Sequence, residues 1–557
     1  MIFPEELNLA DYWLFDRLAD GKGDKVALRF GDRAWTYTEV ADRSRALARY
    51  LVDAGLGPED RVYIVLPDTP AFAWGIFGTL AAGGVLAMGN PIAPIDDLAY
   101  VVDYVRAAFV ITTPEVAIAL GPRLGEFSHL RAILLSPFAA TGDDPEQTVR
   151  TPDSLRDSPV RIESLDTVID RGRELANALP NVRRDDPAIW LFTSGSTGRA
   201  KAAMHSHRDF AFNTEVYAKH TVGYREDDVA VSVPRLFFGY ATGTNLWFPF
   251  AVGATVGLFS ERPTAESVAA AITRYRATIV TNVPTMLGKL LDLDDERRGR
   301  GEAGLDLSSV RFHLSAGEAL PEPLMRRFCE RFGAEVYDGI GSAEMFHIYC
   351  SNRPGDIMPG SLGRAVEGYT LKILPEDADG AGAPELPPNE IGVLWVKGDS
   401  VAHGYFQDRD KSWKTFHGHW CRTGDLFHID ERGYLWFSGR ADDLFKVGGI
   451  FVAPREVEDC LLGHPCVSVA AVIPGEDAGL VKPKAIVVVR PEARDRIETP
   501  AGKQALAAEL KAHVQERLSK HKYPRWVVFA DDLPKNDRGK VDKKLLVERD
   551  KRGELPD

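Results

Sequence analysis

The sequence predicts an α/β protein, α+β overall, with a large N-terminal domain of layered βαβ sheets and a small C-terminal α+β domain. Its 557 residues exceed what one compact core holds. Helical stretches with apolar residues every three or four positions alternate with short apolar runs, the order typical of parallel α/β layers. The pattern breaks near Asp442 and then starts again.

The short apolar runs of the N-terminal part are bounded by turn residues, so we predict that they are buried strands. They are 62–66, 109–112, 132–135 and 278–283. A fifth run, 71–88, carries no charge and is just long enough to span a bilayer. Four glycines interrupt it and no Lys or Arg flanks it closely, which favours a buried helix ending near Gly83 and Gly84, followed by a strand at 85–88.

The domain boundary is predicted from the second half of the chain. Residues 375–390 are rich in Pro, Gly, Asp and Glu and indicate a loop. Strand-like runs follow, and 439–443 then interrupts the apolar pattern. We therefore predict domains at 1–438 and 439–557. The runs beyond 375–390 are 391–396, 433–437, 456–461, 467–473, 485–489 and a helix over 506–518.

The charge and the cysteines limit the class of protein. A net charge of −14 disfavours nucleic-acid binding, although 511–552 holds 13 Lys and Arg against 7 Asp and Glu. That basic stretch indicates either a solvated helical surface or a surface for a polyanionic small molecule. Five scattered cysteines without a C-x-x-C pair disfavour disulfides and structural zinc, and the opening residues lack the order of a signal peptide. We expect a cytoplasmic protein without a membrane segment.

A loop rich in glycine and hydroxyl groups follows the apolar run 188–192. Its glycines let the backbone approach a ligand, its hydroxyls donate hydrogen bonds and its lysine adds positive charge, a combination that suits phosphate. The spacing is not that of a Walker A loop, and the alternative is a flexible surface loop. The residues are Thr193, Ser194, Gly195, Ser196, Thr197, Gly198 and Lys201.

This loop resembles the phosphate loop of the acyl-adenylate-forming superfamily, which includes acyl-CoA synthetases, firefly luciferase and peptide-synthetase adenylation domains. Further segments resemble that family in the same order along the chain, and 338–342, 344–348 and 359–364 are typical of its benzoate-CoA ligases. The matching segments are 191–201, 337–344, 422–425, 439–449 and 534–540.

The resemblance implies an ATP-dependent ligase that needs Mg²⁺. A small carboxylic acid, benzoate or a substituted benzoate, is activated as the acyl-adenylate and then transferred to coenzyme A. Glu344 is implied as the magnesium ligand and Lys540 as the catalytic cation. The small domain is implied to be mobile, rotating about a hinge at Asp442 so that Lys446, Gly448 and Gly449 approach on the coenzyme A side.

The resemblance also assigns the remaining nucleotide contacts. Gly317 and Glu318 are implied to line one side of the adenine. Asp425 is implied to accept hydrogen bonds from the ribose hydroxyls, which an ionised carboxylate does, with Arg440 supporting it. The residues implied at the adenine and magnesium segment are Asp338, Gly339 and Ile340.

The pocket for the acid is expected to be aromatic, since a planar ring packs well on aromatic faces. For the aromatic pair Phe237 and Phe238 the alternative is an ordinary core position, and His347 either binds a ring substituent or satisfies a buried carbonyl. The implied pocket residues are Phe238, Gly239, Tyr240, Gly341, His347 and Ile348.

Two residues depart from the family pattern. Ala343 stands where the family has Thr before the magnesium glutamate, and Arg538 stands where it has Ser or Thr.

Two other functions stay open. The acceptor thiol is alternatively the phosphopantetheine of a carrier protein, or the chain is a degenerate member that only binds nucleotide or acid. We assign no metal role to 417–421, and we expect a monomer or a homodimer.

Overall fold

The computed structural model describes most of the chain, and its elements alternate as the sequence predicts. The residues that it describes are 1–136, 149–194, 199–440, 445–447, 450–477, 480–534 and 541–555. The strands are β1 Val26–Phe30, β2 Arg33–Thr36, β3 Arg61–Val65, β4 Val85–Met88, β5 Ala107–Thr112, β6 Ala132–Leu135, β7 Arg161–Ser164, β8 Pro187–Ser194, β9 Ala200–Ser206, β10 Val229–Ser232, β11 Thr255–Leu258, β12 Ile279–Asn282, β13 Phe312–Ser315, β14 Glu335–Gly341, β15 Ile348–Ser351, β16 Arg364–Ala365, β17 Thr370–Leu374, β18 Gly392–Lys397, β19 Gly404–Tyr405, β20 Phe416–His417, β21 Trp420–Ile429, β22 Leu435–Arg440, β23 Phe445–Val447, β24 Ile450–Val452, β25 Val467–Asp477, β26 Leu480–Val489 and β27 Trp526–Phe529.

Helices lie between most of these strands. The α-helices are α1 Asp16–Ala19, α2 Tyr37–Asp53, α3 Pro70–Ala81, α4 Ile95–Tyr104, α5 Pro114–Leu120, α6 Leu165–Glu174, α7 His207–Asn213, α8 Gly239–Thr242, α9 Phe248–Val252, α10 Ala265–Tyr275, α11 Pro284–Gly299, α12 Glu322–Phe332, α13 Arg409–Thr415, α14 Pro454–Leu462, α15 Pro500–Arg517 and α16 Lys543–Lys551. Short π-helices cover Asp11–Phe15, Thr214–Val222 and Gly243–Trp247, and 3₁₀-helices cover Gly121–Glu126, Asp153–Leu155, Ala343–Met345 and Pro491–Ile497.

The chain divides into two compact units. Unit 1 is Met1–Leu371 with Trp395–Arg422, and unit 2 is Lys372–Leu394 with Thr423–Asp557. The second unit therefore begins earlier in the chain than the predicted boundary at 438/439. The boundary at 438/439, which rests on the break in the apolar pattern, stays a prediction.

Unit 1 holds two large sheets. The nine-stranded sheet has the order β16-β15-β14-β13-β12-β10-β11-β1-β2, and the eight-stranded sheet has the order β19-β9-β8-β4-β3-β5-β6-β7. Most of the pairs in both sheets are parallel, and antiparallel pairs lie toward the edges: β1 with β2, β14 with β15, β15 with β16, and β9 with β8 and β19. The predicted α/β fold class is confirmed.

The uncharged run 71–88 forms a helix and a strand inside unit 1. Every residue of α3 is buried, Gly83 adopts a positive φ of 72° just after the helix, and β4 follows. No helix of the described residues is long and apolar enough to cross a membrane. The predicted buried helix and strand are confirmed, with the helix ending two residues before Gly83 and Gly84 because Ala82 caps it.

The other strand predictions up to 391–396 agree with the structure within two residues at each end, whereas the predicted run 433–437 ends three residues before the end of β22. The C-terminal part of the chain differs more. There 467–473 is the start of an eleven-residue strand, β25, which pairs antiparallel with the ten-residue β26. β27 extends this sheet in parallel, and α15 packs its apolar face on it through Leu506, Leu510 and Val514. The predicted loop 375–390 contains turns and bends but neither helix nor strand.

A further five-stranded sheet has the order β17-β18-β21-β20, with β22 paired to β21. The segment 417–421, which superficially offers metal ligands, forms the hairpin between β20 and β21: His417 pairs with Trp420 and lies 4.8 Å from the ring of Trp395.

Several cations of the basic stretch 511–552 are neutralised within unit 2. Lys522 lies 2.6 Å from Glu456, and Lys543 lies 2.7 Å from the buried Glu458. These pairs leave less free positive charge than the sequence alone indicates.

The five cysteines are all free thiols. Cys350 and Cys421 are buried, whereas Cys329, Cys460 and Cys466 are partly exposed. Burial raises the pKa of Cys329 and of Cys460 above the usual range.

Candidate functional site

The loop rich in glycine and hydroxyl groups joins two antiparallel strands of unit 1. Thr193 on β8 pairs with Lys201 on β9, and Ser194 pairs with Ala200. A strand, not a helix, follows the loop, so a helix dipole supplies none of the positive charge at this position. Four predicted loop residues lie outside the described residues: Gly195, Ser196, Thr197 and Gly198.

The charge at the end of this hairpin comes from Lys201. Its ammonium lies 2.8 Å from a carboxylate oxygen of Asp408, and its side chain is 15% exposed. The hydrogen bond from Lys201 is the main reason that the pKa of Asp408 lies below its usual value. The predicted phosphate loop therefore ends in a cation whose position is fixed by an anion about two hundred residues away in the sequence.

Glu344 lies on a 3₁₀ turn, Ala343–Met345, directly after β14. The hydroxyl of Tyr405 donates to Oε1 of Glu344 at 2.6 Å, and the backbone carbonyl of Glu344 accepts from the amide of Ala402 at 2.8 Å. Tyr405 is buried, and both its burial and the negative charge of Glu344 raise its pKa. Tyr405 is thus held protonated, as a donor to the carboxylate.

Ala343 keeps its backbone place although its side chain departs from the family pattern. Nε2 of His205 lies 2.7 Å from the carbonyl oxygen of Ala343, and Nδ1 lies 3.0 Å from Asp209. Because a carbonyl only accepts, Nε2 carries the proton in this bond. The missing threonine therefore removes a side-chain hydroxyl and leaves the turn before Glu344 anchored.

The segment that contains Asp338 is buried and polar. Ser315, at the end of β13, pairs with Asp338 on β14. Burial raises the pKa of Asp338 to about 8, and the nearby hydroxyl of Ser315, followed by the amides of Leu320 and Gly339, offsets part of that rise. One carboxyl oxygen, Oδ1, is buried without a hydrogen-bond partner among the described residues. A buried group of this kind normally has a partner, so this oxygen marks a place for a ligand donor.

Two positions of this region require glycine, one because of its backbone conformation and one because the neighbouring strand is too close for a side chain. Gly317 has a φ of 86°, a conformation that favours glycine. A Cβ atom at Gly341 would lie 2.4 Å from the carbonyl oxygen of His347, because β14 and β15 pair closely there. Next to Gly317, Glu318 accepts from the hydroxyl of Thr285 at 2.7 Å. Gly339 and Ile340 pair with Ser351 and Cys350 on β15.

His347 is surrounded by aromatic rings. The rings of Tyr217, Tyr240, Phe248 and Phe346 have centroids 4.7–5.5 Å from its own. Burial lowers the pKa of His347 to about 3, so the imidazole is neutral. Nε2 lies 3.0 Å from the carbonyl oxygen of Tyr240 and must be its donor, which leaves Nδ1 as a buried acceptor without a partner among the described residues.

The other residues predicted for the acid pocket differ in exposure. Ile348 is buried on β15 and the hydroxyl of Tyr240 is buried without a partner in the described part of the chain. Phe238 is 42% exposed and lies 4.4 Å, ring to ring, from Phe237, so it is not a core residue. Gly239 begins α8, and an added Cβ would lie 3.2 Å from the side chain of Leu191 on β8.

In unit 2, Asp425 and Arg440 are cross-strand partners on β21 and β22. The amide of Asp425 donates to the hydroxyl of Thr423 at 3.2 Å, and that hydroxyl donates to the carbonyl of Leu394. Lys446 lies on β23, opposite Phe451. The predicted residues Asp442, Gly448, Gly449 and Lys540 lie outside the described residues.

Sequence reasoning missed Tyr405, Asp408 and His205. Each acts on a predicted residue through a contact 61 to 207 positions apart in the chain, so no local spacing indicates it. The described residues also contain no group of three or more His, Cys, Asp or Glu side chains suited to hold a metal ion. Glu344 fits magnesium nonetheless, because that ion commonly takes only one or two carboxylates and completes its shell with phosphate oxygens and water.

The chain matches two family models, that of the AMP-binding enzymes over residues 15–406 and that of the AMP-binding enzyme C-terminal domain over 456–540. It is 37% identical to a benzoate–CoA ligase of Thauera aromatica, covering 97% of this chain and 95% of that protein. It is 36% identical to a 4-hydroxybenzoate–CoA/benzoate–CoA ligase of Rhodopseudomonas palustris, covering 98% and 94%.

Two solved structures have the same fold. One is the anthranilate CoA ligase AuaEII in complex with anthranoyl-AMP, with a TM-score of 0.85, 31% identity and coverage of 99% of this chain and 98% of that one. The other is a benzoate CoA ligase from Burkholderia xenovorans LB400, with a TM-score of 0.79, 34% identity and coverage of 97% and 99%. The chain belongs to the AMP-binding enzyme family.

Proposed function

We propose that this protein is an aryl-CoA ligase that converts benzoate or a substituted benzoate, ATP and coenzyme A into the aryl thioester, AMP and pyrophosphate. The observation that carries the proposal is that unit 1 holds both a cation at the end of the predicted phosphate hairpin, Lys201, which Asp408 fixes, and a carboxylate, Glu344, which Tyr405 orients. The family membership and the names of the relatives support the same chemistry.

The reaction has two steps. A carboxylate oxygen of the acid attacks the α-phosphorus of ATP, an O–P bond forms, and the bond to the β-phosphate oxygen breaks to release pyrophosphate. The coenzyme A sulfur, losing its proton, then attacks the acyl carbon, and the bond to AMP breaks. The first step brings two anions together, so the protein has to offset negative charge at the phosphates.

In unit 1, Thr193, Lys201 and the loop between them bind the phosphates of ATP. Glu344 holds Mg²⁺, which offsets phosphate charge when it is bound. Asp338 and its neighbours bind the adenine, since the unpartnered Oδ1 accepts a hydrogen bond from an amino group.

In unit 2, Asp425 binds the ribose hydroxyls and Arg440 supports it from the neighbouring strand. Lys540 places its ammonium at the carboxylate and α-phosphate during the first step. The domain 439–557 then rotates about Asp442, which removes Lys540 and brings Lys446, Gly448 and Gly449 to the coenzyme A side. One site thereby serves two chemical steps.

The aromatic surroundings of His347 favour a planar acid. Nδ1 of His347 is a buried acceptor without a partner among the described residues. A ring hydroxyl or amino group on the acid can donate a hydrogen bond to this nitrogen, whereas unsubstituted benzoate cannot. We propose that a donor-substituted benzoate is used at least as well as benzoate.

The test is pyrophosphate release with a panel of acids, each with and without coenzyme A: benzoate, hydroxy- and aminobenzoates, cyclohexane carboxylate and short and medium fatty acids. Turnover on an aryl acid that requires coenzyme A is the expected result. Turnover without coenzyme A dependence would identify a carrier-protein thiol as the acceptor. No turnover on any acid would mean that the protein binds nucleotide or acid without ligase activity.

A further inference from the structure

We propose that Asp408 is a positioning residue for ATP, which it serves by holding the ammonium of Lys201 at the end of the phosphate hairpin. The proposal rests on the proposed function, because it needs the hairpin to bind nucleotide phosphates. The carboxylate of Asp408 and the ammonium of Lys201 are 2.8 Å apart, and their side chains are 31% and 15% exposed.

The two oxygens of Asp408 have separate partners. Oδ2 accepts from Lys201, whereas Oδ1 accepts from the amide of Lys411 at 3.2 Å and caps the first turn of α13. A carboxylate that caps a helix has a fixed rotamer, so Lys201 meets a stationary anion and not a flexible surface group.

The segment around Asp408 is itself fixed to the hairpin. β19 pairs with β9, and the amides of His403 and Phe406 donate to the carbonyls of Met204 and Ala202, each at 2.9 Å. Phe406 also packs on the ring of Trp190, a β8 residue, at 4.5 Å. Asp408 and Lys201 therefore belong to one rigid patch of unit 1.

An ammonium has three donors, so Lys201 keeps its bond to Asp408 while it donates to a phosphate oxygen. Without the anion, a lysine side chain samples many rotamers, and ATP binding has to pay for ordering it. A preorganised lysine consequently gives tighter ATP binding, and the gain is specific to ligands that carry phosphates.

Asp408→Asn separates the two roles of this side chain. The amide oxygen still caps α13, because Asn is as good a capping residue as Asp, while the charge that holds Lys201 is removed. The matched control is Glu226→Gln, which removes a carboxylate that pairs with Lys22 and Lys25 elsewhere in unit 1.

The experiment measures equilibrium binding of ATP and of adenosine to the full chain, for wild type, Asp408→Asn, Lys201→Met, the double variant and the control. We expect Asp408→Asn to bind ATP about fivefold more weakly with adenosine binding unchanged. In the Lys201→Met background, Asp408→Asn should not weaken ATP binding further, since Asp408 acts only through Lys201.

Wild-type or tighter ATP binding by Asp408→Asn would overturn the proposal, as would an equal loss for ATP and adenosine or additive losses in the double variant. Wild-type ATP binding by Lys201→Met would also overturn it while leaving the ligase reaction intact. Absence of ATP binding by the wild-type protein would instead contradict the proposed function itself.

Discussion

At the scale of single residues, the polar groups that contact Glu344 orient the carboxylate that we propose as the magnesium ligand. Tyr405 donates to one oxygen of the carboxylate, and its raised pKa keeps the proton on the phenol. Groups that orient a metal ligand are commonly worth 10- to 100-fold in metal affinity. If Glu344 binds magnesium as proposed, the hydroxyl of Tyr405 should therefore affect metal affinity through its bond to Glu344.

We predict that Tyr405→Phe weakens binding of Mn²⁺ in the presence of ATP by about tenfold, measured by electron paramagnetic resonance as loss of the free-ion signal. Tyr37→Phe is the control, because it also loses a buried tyrosine hydroxyl, bonded to the carbonyl of Ala254 at 2.7 Å. Equal metal affinity in Tyr405→Phe and wild type would show that the hydroxyl of Tyr405 does not contribute to metal binding.

Asp338 gives a residue-scale prediction on pH. Its pKa is about 8 in the folded protein against 3.8 for an ordinary aspartate, so between these values the fold holds a proton that the unfolded chain releases. The free energy of unfolding then falls as pH rises through this window, by at most about 1.4 kcal/mol per pH unit, and the effect ends above the folded pKa.

Asp338→Asn imitates the protonated form and should remove this slope. Denaturant unfolding at pH 6, 7 and 8, without nucleotide, should show the variant gaining stability relative to wild type as pH rises. A difference that stays constant across the three pH values would mean that Asp338 is already ionised in the fold.

At the scale of elements, the close pairing of β14 and β15 brings the predicted adenine segment and the predicted acid-pocket residues together. Gly339 to Gly341 on β14 pairs with Ile348 to Ser351 on β15, and His347 lies in the turn region between them. The carbonyl of His347 approaches Gly341 so closely that no side chain fits there.

We predict that Gly341→Ala lowers the free energy of unfolding by about 1–3 kcal/mol, because the added methyl forces the strands apart. It should also raise KM for the acid, since His347 moves with its strand. The control is Gly299→Ala at the end of α11, where an added Cβ meets nothing within 4 Å. Both variants are tested by thermal melts and by measuring the rate against the concentration of the carboxylic acid substrate. A Gly341→Ala variant with wild-type stability and unchanged KM would contradict the prediction.

The sequence indicates elements well wherever local pattern fixes them. The apolar run 71–88 resolves into α3 and β4 because Gly83 and Gly84 lie at the turn between them, and 132–135 is β6 without adjustment. The antiparallel pairing of β25 with β26 was not predictable from periodicity, since a buried strand reads alike in either direction. The roles of Tyr405 and Asp408 were not predictable either, because their partners are brought close by the pairing of β19 with β9. Strand pairing between distant parts of the chain leaves no local pattern in the sequence.

At the scale of the whole molecule, the proposed function divides the work between the two units. Unit 1 carries Lys201, Glu344 and Asp338, and unit 2 carries Asp425 and Arg440. The proposed catalytic cation, Lys540, also belongs to unit 2. If it acts only in the first step, the two half-reactions respond differently to its removal.

We predict that Lys540→Ala slows acid-dependent pyrophosphate release by about 10²- to 10³-fold, a loss of roughly 3–4 kcal/mol in transition-state stabilisation, while it still binds ATP. Thioester formation from a supplied acyl-adenylate and coenzyme A should continue near the wild-type rate. Lys544→Ala, an exposed lysine on α16, is the control. Pyrophosphate release by Lys540→Ala at the wild-type rate would show that another cation serves the first step.

The distribution of the five thiols gives a way to observe movement directly. Cys350 and Cys421 are buried, and the partly exposed thiols divide between the units, with Cys329 in unit 1 and Cys460 and Cys466 in unit 2. With Cys460→Ala, a maleimide donor dye and an acceptor dye can react with Cys329 and Cys466 and with no other partly exposed thiol. Energy transfer between the dyes, recorded as ATP and acid are added and then coenzyme A, would test the proposed rotation of the small domain in real time on single molecules.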